Sequence, residues 1–104
     1  MNARVGGFEW DGANTEKCQQ HGLSLTEIES VFDAPVAVLP DPDHSGAEER
    51  FKAIGKTATG RHVFVVFTLR YAGGRTLIRP ISARYMHRKE IEHYEKTAAR
   101  LQNR

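Results

Sequence analysis

The residues of this 104-residue chain best suited to chemistry are arginines set in strand-like stretches. If Gly73-Gly74 forms a two-residue hairpin turn, Ala72 faces Arg75, Arg70 faces Leu77 and Thr68 faces Arg79. Side chains alternate across a strand, so Arg70 and Arg79 share one face as diagonal neighbours. Arg61 and Arg84 are then expected together on the opposite face or near its end. Two close guanidiniums repel unless an anion lies between them, and the planar fork matches phosphate oxygens bidentately. The competing reading pairs Arg70 and Arg79 with acids of the chain itself, Glu48, Glu49 or Asp41. Spacing alone does not choose between the two.

Other chemistries find less support. His21, His44, His62, His87 and His93 form no HExxH pattern and have no cysteine pair beside them, so no metal or cofactor is expected. His87 and His93 are six residues apart, poorly spaced for one helical face. Cys18 and His21 make a weak nucleophile pair, because a lone cysteine beside a helical apolar position more often serves packing. No phosphate-cradling GxxxxGK loop occurs.

The elements that must carry these residues are readable from periodicity. Val5–Trp10 suits a short strand, and Asp11 or Asn14 can cap a short helix running toward His21 and stopping at Gly22. Ser24-Leu25-Thr26-Glu27 is a capping box ahead of Leu25, Ile28, Val31 and Phe32 on one face, with Pro35 marking the end. Val36–Leu39, Glu49–Lys56, Arg61–Arg70 and Arg75–Ser82 then read as strands. Asp41–Gly46, Thr57–Gly60 and Ala72–Gly74 are the turns between them. After Arg84 the period is helical again: Ile91, Tyr94, Ala98 and Leu101 line one stripe. The order β-α-α-β-β-β-β-α predicts an α+β domain. Its antiparallel sheet has four to five strands, with two N-terminal helices and one C-terminal helix.

Length and composition fit one domain spanning residues 1–104, with disorder expected only at Met1–Gly6 and Gln102–Arg104. Charge is uneven. From Lys52 onward twelve basic residues face only Glu90, Glu92 and Glu95, while the first half holds most of the acids. That asymmetry points to an electropositive face and a polyanionic partner. The lone Cys18 excludes an intrachain disulfide and fits a reducing compartment. With no leader-like apolar run and no stretch of membrane-spanning length, the chain is expected in the cytoplasm, away from membranes.

An ordered set of motifs carries a family resemblance. It begins with Phe8-Glu9-Trp10-Asp11, Asn14-x-x-Lys17 and His21-Gly22-Leu23-Ser24-Leu25. It continues through His44-Ser45-x-x-Glu48-Glu49-Arg50, Ile54-Gly55-Lys56-Thr57, Gly60-Arg61 and Val65-Val66-Phe67-Thr68-Leu69-Arg70. Ile81-Ser82-Ala83-Arg84, Arg88-Lys89-Glu90 and Tyr94-Glu95 complete it. Together they resemble the BrnT family of toxins from type II toxin–antitoxin systems. The resemblance implies a RelE-like fold, ribonuclease activity on RNA and neutralisation by a cognate BrnA-like antitoxin. That partner is a ribbon–helix–helix DNA-binding protein, through which alone operator DNA is reached. Two departures concern local geometry. Pro80 stands where the pattern usually has another apolar residue, so its strand should be an edge or bulged there. Asp33-Ala34-Pro35 is one residue longer than the usual Asp-Pro.

A metal-free ribonuclease uses the substrate's 2′-hydroxyl as nucleophile and needs a base, an acid and cations around the phosphate. The catalytic candidates are Arg70, Arg79, Arg84, Lys17 and His21. Arg61, His44, Glu49 and Arg50 are candidate substrate contacts. Competing structural roles exist for most of them. Arg84 can bond carbonyls at a strand–helix junction, His44 can brace a turn, and Glu48, Glu49 and Arg50 can form a surface ion network. Trp10 reads as core, with base stacking as its alternative. Two other functional classes fit the same features: a nucleic-acid-binding module without cleavage, and a subunit whose surface serves to dock an antitoxin.

Overall fold

A computed structural model describes residues 6–34, 36–44, 46 and 48–102, at 44 and 98–102 for the backbone alone. Asp11 caps the first helix, α1 (Gly12–Cys18), accepting from the Ala13 and Asn14 amides while Asn14 Oδ1 accepts from the Asp11 amide. The reciprocal box satisfies amides that a helix start otherwise leaves unpaired. The helix ends at Cys18, four residues before Gly22, and a turn carries the chain on to that glycine. Ser24 and Glu27 form the second box, at the head of α2 (Leu25–Val31). Pro35, read as the marker of its end, lies outside the described residues.

Four strands follow: β1 (Ala37–Pro40), β2 (Phe51–Lys56), β3 (His62–Ala72) and β4 (Arg75–Tyr85). They form one antiparallel sheet in the order β1-β2-β3-β4. A short 3-10 turn, Pro42–His44, interrupts the β1–β2 connection. Gly73 and Gly74 both take positive φ in the β3–β4 hairpin, and Ala72 pairs with Arg75 as the two-glycine turn predicts. The expected strand at Val5–Trp10 is present only as a fragment beside β4. Phe8 makes a single parallel bridge to Ile78, flanked by hydrogen bonds from Gly6 and Glu9 to β4 carbonyls. Of the two terminal stretches expected to be disordered, Gly6 joins this fragment and Gln102 ends the last helix; the rest lies outside the described residues.

One face of the sheet carries α1 and α2. Ala53 from β2, Val63, Val65 and Phe67 from β3, and Ile78 and Ala83 from β4 close against Cys18, Leu23, Ile28 and Val31. Gly55 lets α2 approach β2 closely: a Cβ there would come within 2.9 Å of Val36 and 3.0 Å of Val31.

The other face holds Lys52, Ile54, Phe64, Val66 and Arg70, and here one irregularity matters. Val66 pairs with Ser82 but Phe67 pairs with Pro80, leaving Ile81 as the extra residue of a β-bulge. The proline has no amide to donate, and its strand is both last in the sheet order and bulged, as expected. Its carbonyl accepts from Asn14 Nδ2, which also bonds the Glu9 carbonyl. The third helix, α3 (Arg88–Gln102), crosses the far end of this second face, where Tyr94 meets His62 edge-on at 6.4 Å between centroids.

Candidate active site

The bulge decides which arginines meet. Arg79 and Arg84 are five residues apart, and a regular strand would turn them to opposite faces. One inserted residue restores the parity, so Arg79 faces Thr68 and Arg84 faces Phe64 on the same side of the sheet. Arg84 therefore shares the open face with Arg70 and Arg79, which corrects the expectation that it would join Arg61 on the other. Arg61 stays on the helix side, its guanidinium 3.5 Å from the centroid of the Tyr85 ring.

Arg70 and Arg79 are diagonal neighbours with an anion between them, and that anion is the carboxylate of Glu9. It lies 3.2 Å from Arg79 and 3.8 Å from Arg70. Arg79 also bonds Asp11 through both terminal nitrogens, at 2.9 and 3.3 Å, and Arg70 reaches Glu48 at 3.3 Å. The Arg79 hydrogen bond, helped by the Asn14 amide, holds the Asp11 carboxyl below its ordinary pKa. These arginines tie the N-terminal fragment and the start of α1 to β4.

A pocket of about 180 Å3 opens farther along the same face. Val66 and Phe64 form its floor, Lys52 enters from β2, and Ser82 and Arg84 enter from β4. His21 closes the rim from the turn after α1, a helix packed against β4. Lys52 Nζ is 5.0 Å and Arg84 Cζ 4.6 Å from the Phe64 ring centroid, so one aromatic ring contacts two cations, one from each neighbouring strand. Arg84 is fixed from the opposite direction by Glu90, its two terminal nitrogens donating to the two carboxylate oxygens at 2.9 Å each. Arg84 together with the His87 amide pushes the Glu90 carboxyl down to about 2. Lys52 has no carboxylate within ion-pair distance among the described residues. It is a cation of this pocket whose charge is not already spent.

The remaining candidates lie elsewhere. Lys17 is exposed in the last turn of α1, outside the pocket lining. Glu49 lines a separate shallow depression with Glu48, Thr68 and Tyr71. Arg50 is half-buried just before β2, and its carbonyl accepts from the Asp41 amide. His44 ends the 3-10 turn, and its side chain lies outside the described residues. Trp10 packs against the core and donates to Glu29 at 2.8 Å, as a core indole should. Cys18 is fully buried, and burial pushes its thiol up to about 11, which leaves no thiolate to act with His21.

Sequence reasoning missed Lys52, Phe64 and Ser82. Register with Arg84 through β3 was the signal that could have found them, but it depends on the bulge. Among the described residues no group of three or more His, Cys, Asp or Glu side chains converges as a metal site, and no helix is long and apolar enough to cross a membrane.

A family model described as "Ribonuclease toxin, BrnT, of type II toxin-antitoxin system" matches residues 10–90. That span runs from α1 through the first turn of α3 and includes every residue lining the pocket. No curated protein gives a significant match.

Proposed function

Because the chain belongs to the BrnT family of ribonuclease toxins of type II toxin–antitoxin systems, we propose that it cuts RNA in the pocket of His21, Lys52, Ser82 and Arg84. The observation that carries this reading is one pocket lined by two cations in contact with the Phe64 ring, an imidazole and a hydroxyl.

The reaction is metal-independent. The substrate's 2′-oxygen attacks the adjacent phosphorus and loses its proton to a base. The 5′-oxygen leaves with the P–O bond electrons and takes a proton from an acid. The products are a 2′,3′-cyclic phosphate and a 5′-hydroxyl end. Negative charge grows on the non-bridging oxygens, and Lys52 and Arg84 are fixed where it grows. Preorganised cations are worth most in such a position, because nothing need reorganise as the charge develops. His21 is the imidazole of the pocket and takes a proton-transfer role, imidazole being the side chain that titrates nearest neutrality. Arg70 and Arg79 occupy the same face but lie outside the pocket lining, tied to Glu9, Asp11 and Glu48. Arg84 lines the pocket even while paired with Glu90, so Arg70 and Arg79 rank behind Lys52 and Arg84 as substrate contacts.

Cleavage of cellular RNA by this route stops translation and growth in the cytoplasm. A cognate BrnA-like antitoxin of the ribbon–helix–helix class relieves it by covering the open sheet face, and binds operator DNA on behalf of the pair. Incubation of RNA with the purified chain in excess EDTA tests the reading. Cyclic-phosphate ends are the expected product. Activity abolished by chelation and restored by one divalent ion would contradict the mechanism, and RNA bound but uncut would favour a non-catalytic binding module.

A further inference from the structure

A second cavity adjoins the pocket, and neither the family match nor the reading above gives it a role. It runs between α3 and the far end of the open sheet face and measures about 480 Å3. Leu39, Ile54 and Phe64 line it from the sheet, and Met86, His93 and Tyr94 from the α3 side. Its surface is mainly apolar, and Leu39 is 50% exposed at its edge.

Three observations bear on what fills it. Phe64 lines both cavities, so the two adjoin at that residue. The row Ile54–Phe64–Arg84 is one step along the sheet from the row Lys52–Val66–Ser82. Two residues of strand span about 7 Å, within reach of a base from its own phosphate. The third observation is charge. Lys52 and Arg84 guard the pocket end of the combined cleft, while the groove end is mainly aromatic and aliphatic, with Lys89 and Glu90 on its α3 side and Glu90 already paired with Arg84. A ligand that fills both has an anion at one end and a flat apolar group at the other.

Resting on the reading of the pocket as the cleavage site, we propose that this groove seats an unpaired nucleobase next to the scissile phosphate. Tyr94 provides the ring beside the base. Bases in an A-form duplex are stacked and their deep groove is closed to side chains, whereas single strands can splay a base outward. The substrate class is therefore single-stranded RNA. Stacking of this kind tolerates every base, because each has a π-face.

The test uses the full chain as wild type, Tyr94→Ala and Tyr94→Phe. Each is assayed on an unstructured labelled RNA, on the same RNA annealed to its complement, and on a copy with an abasic nucleotide beside the cut. Binding is measured separately on an RNA carrying a 2′-deoxy nucleotide at that position. Tyr94→Ala should raise KM and the deoxy-RNA Kd roughly 5- to 100-fold, with kcat changed far less and Tyr94→Phe close to wild type. Duplex and abasic RNAs should be cut more slowly than the parent. Unchanged KM and Kd in Tyr94→Ala, or duplex cut as fast as single strand, would overturn the proposal. So would a Tyr94→Ala protein that loses antitoxin affinity while keeping its RNA affinity. If wild type cuts no RNA at all, the cleavage reading fails, and the Kd ratio still decides whether the groove holds a base.

Discussion

Lys52 and Arg84 bring the same charge to the pocket by different means, and their substitutions should behave differently. Lys52 Nζ lies over the Phe64 ring, and among the described residues removing its ammonium disturbs no ion pair. Lys52→Ala should lower the cleavage rate about 100- to 1000-fold and leave the melting temperature nearly unchanged. Arg84→Ala removes the same kind of donor but also strands Glu90, so activity and stability should fall together. Arg84→Lys restores the charge without the planar fork and should rescue cleavage only in part. Arg79→Ala separates pinning from chemistry. It removes the ion-pair partner of Asp11 and leaves Glu9 with Arg70 alone among the described residues, and melting temperature should fall in step with activity. Normal melting with lost cleavage would instead make Arg79 a phosphate contact. The diagonal placement of Arg70 beside Arg79 was readable from Gly73-Gly74, and so was the need for an anion between them. That the anion is Glu9 was not, because Glu9 reaches this face only through the bridge of Phe8 to Ile78.

Elements set which residues meet, and the capping signals were the most legible part of the chain. The Ser24–Glu27 box joins residues three apart, so sequence determines it almost alone. The bulge at Ile81 is less local. Proline announced an irregularity but not which face Arg84 would take, since that depends on counting residues across two strands. Asn14 anchors this region by donating to Pro80 and Glu9 carbonyls. Asn14→Ala leaves both without that donor, and thermal or urea unfolding should show a loss of about 2 kcal/mol. Gly55→Ala should cost about 1–3 kcal/mol by overpacking between β2 and α2; full stability there would mean the helix retreats freely. The α3 start has a pH signature. Glu90 sits at about 2 in the folded chain against an ordinary value near 4.5. Its depressed folded value makes the Arg84–Glu90 contribution fully present above the unfolded pKa. That contribution is lost as pH falls from about 4.5 toward 2. Glu90→Gln should therefore melt below wild type at pH 7, with the gap closing across that acid window.

At the scale of the molecule, part of the charge asymmetry of the sequence is folded away. Glu9, Asp11 and Glu48 from the acidic half neutralise Arg70 and Arg79 from the basic half, and Glu90 neutralises Arg84. Total charge was legible from the chain, but its cancellation needed three-dimensional neighbours. Lys52 has no such partner among the described residues, and a site confined to its pocket neutralises few phosphates on binding. For two to three such contacts, the slope of log affinity against log salt for single-stranded RNA should be about −2. A slope several times steeper would place the RNA along a wider basic surface.

The central claim is that cleavage is performed at Lys52 and Arg84, with Arg79 serving the fold. Single-turnover cleavage of one unstructured RNA in excess EDTA tests it most directly, using wild type, Lys52→Ala and Arg79→Ala with a melting curve for each. The account predicts cyclic-phosphate products from wild type and a 100- to 1000-fold slower cut by a fully folded Lys52→Ala protein. It also predicts an Arg79→Ala protein whose activity tracks its folded fraction. A folded Lys52→Ala protein cutting at the wild-type rate would contradict it.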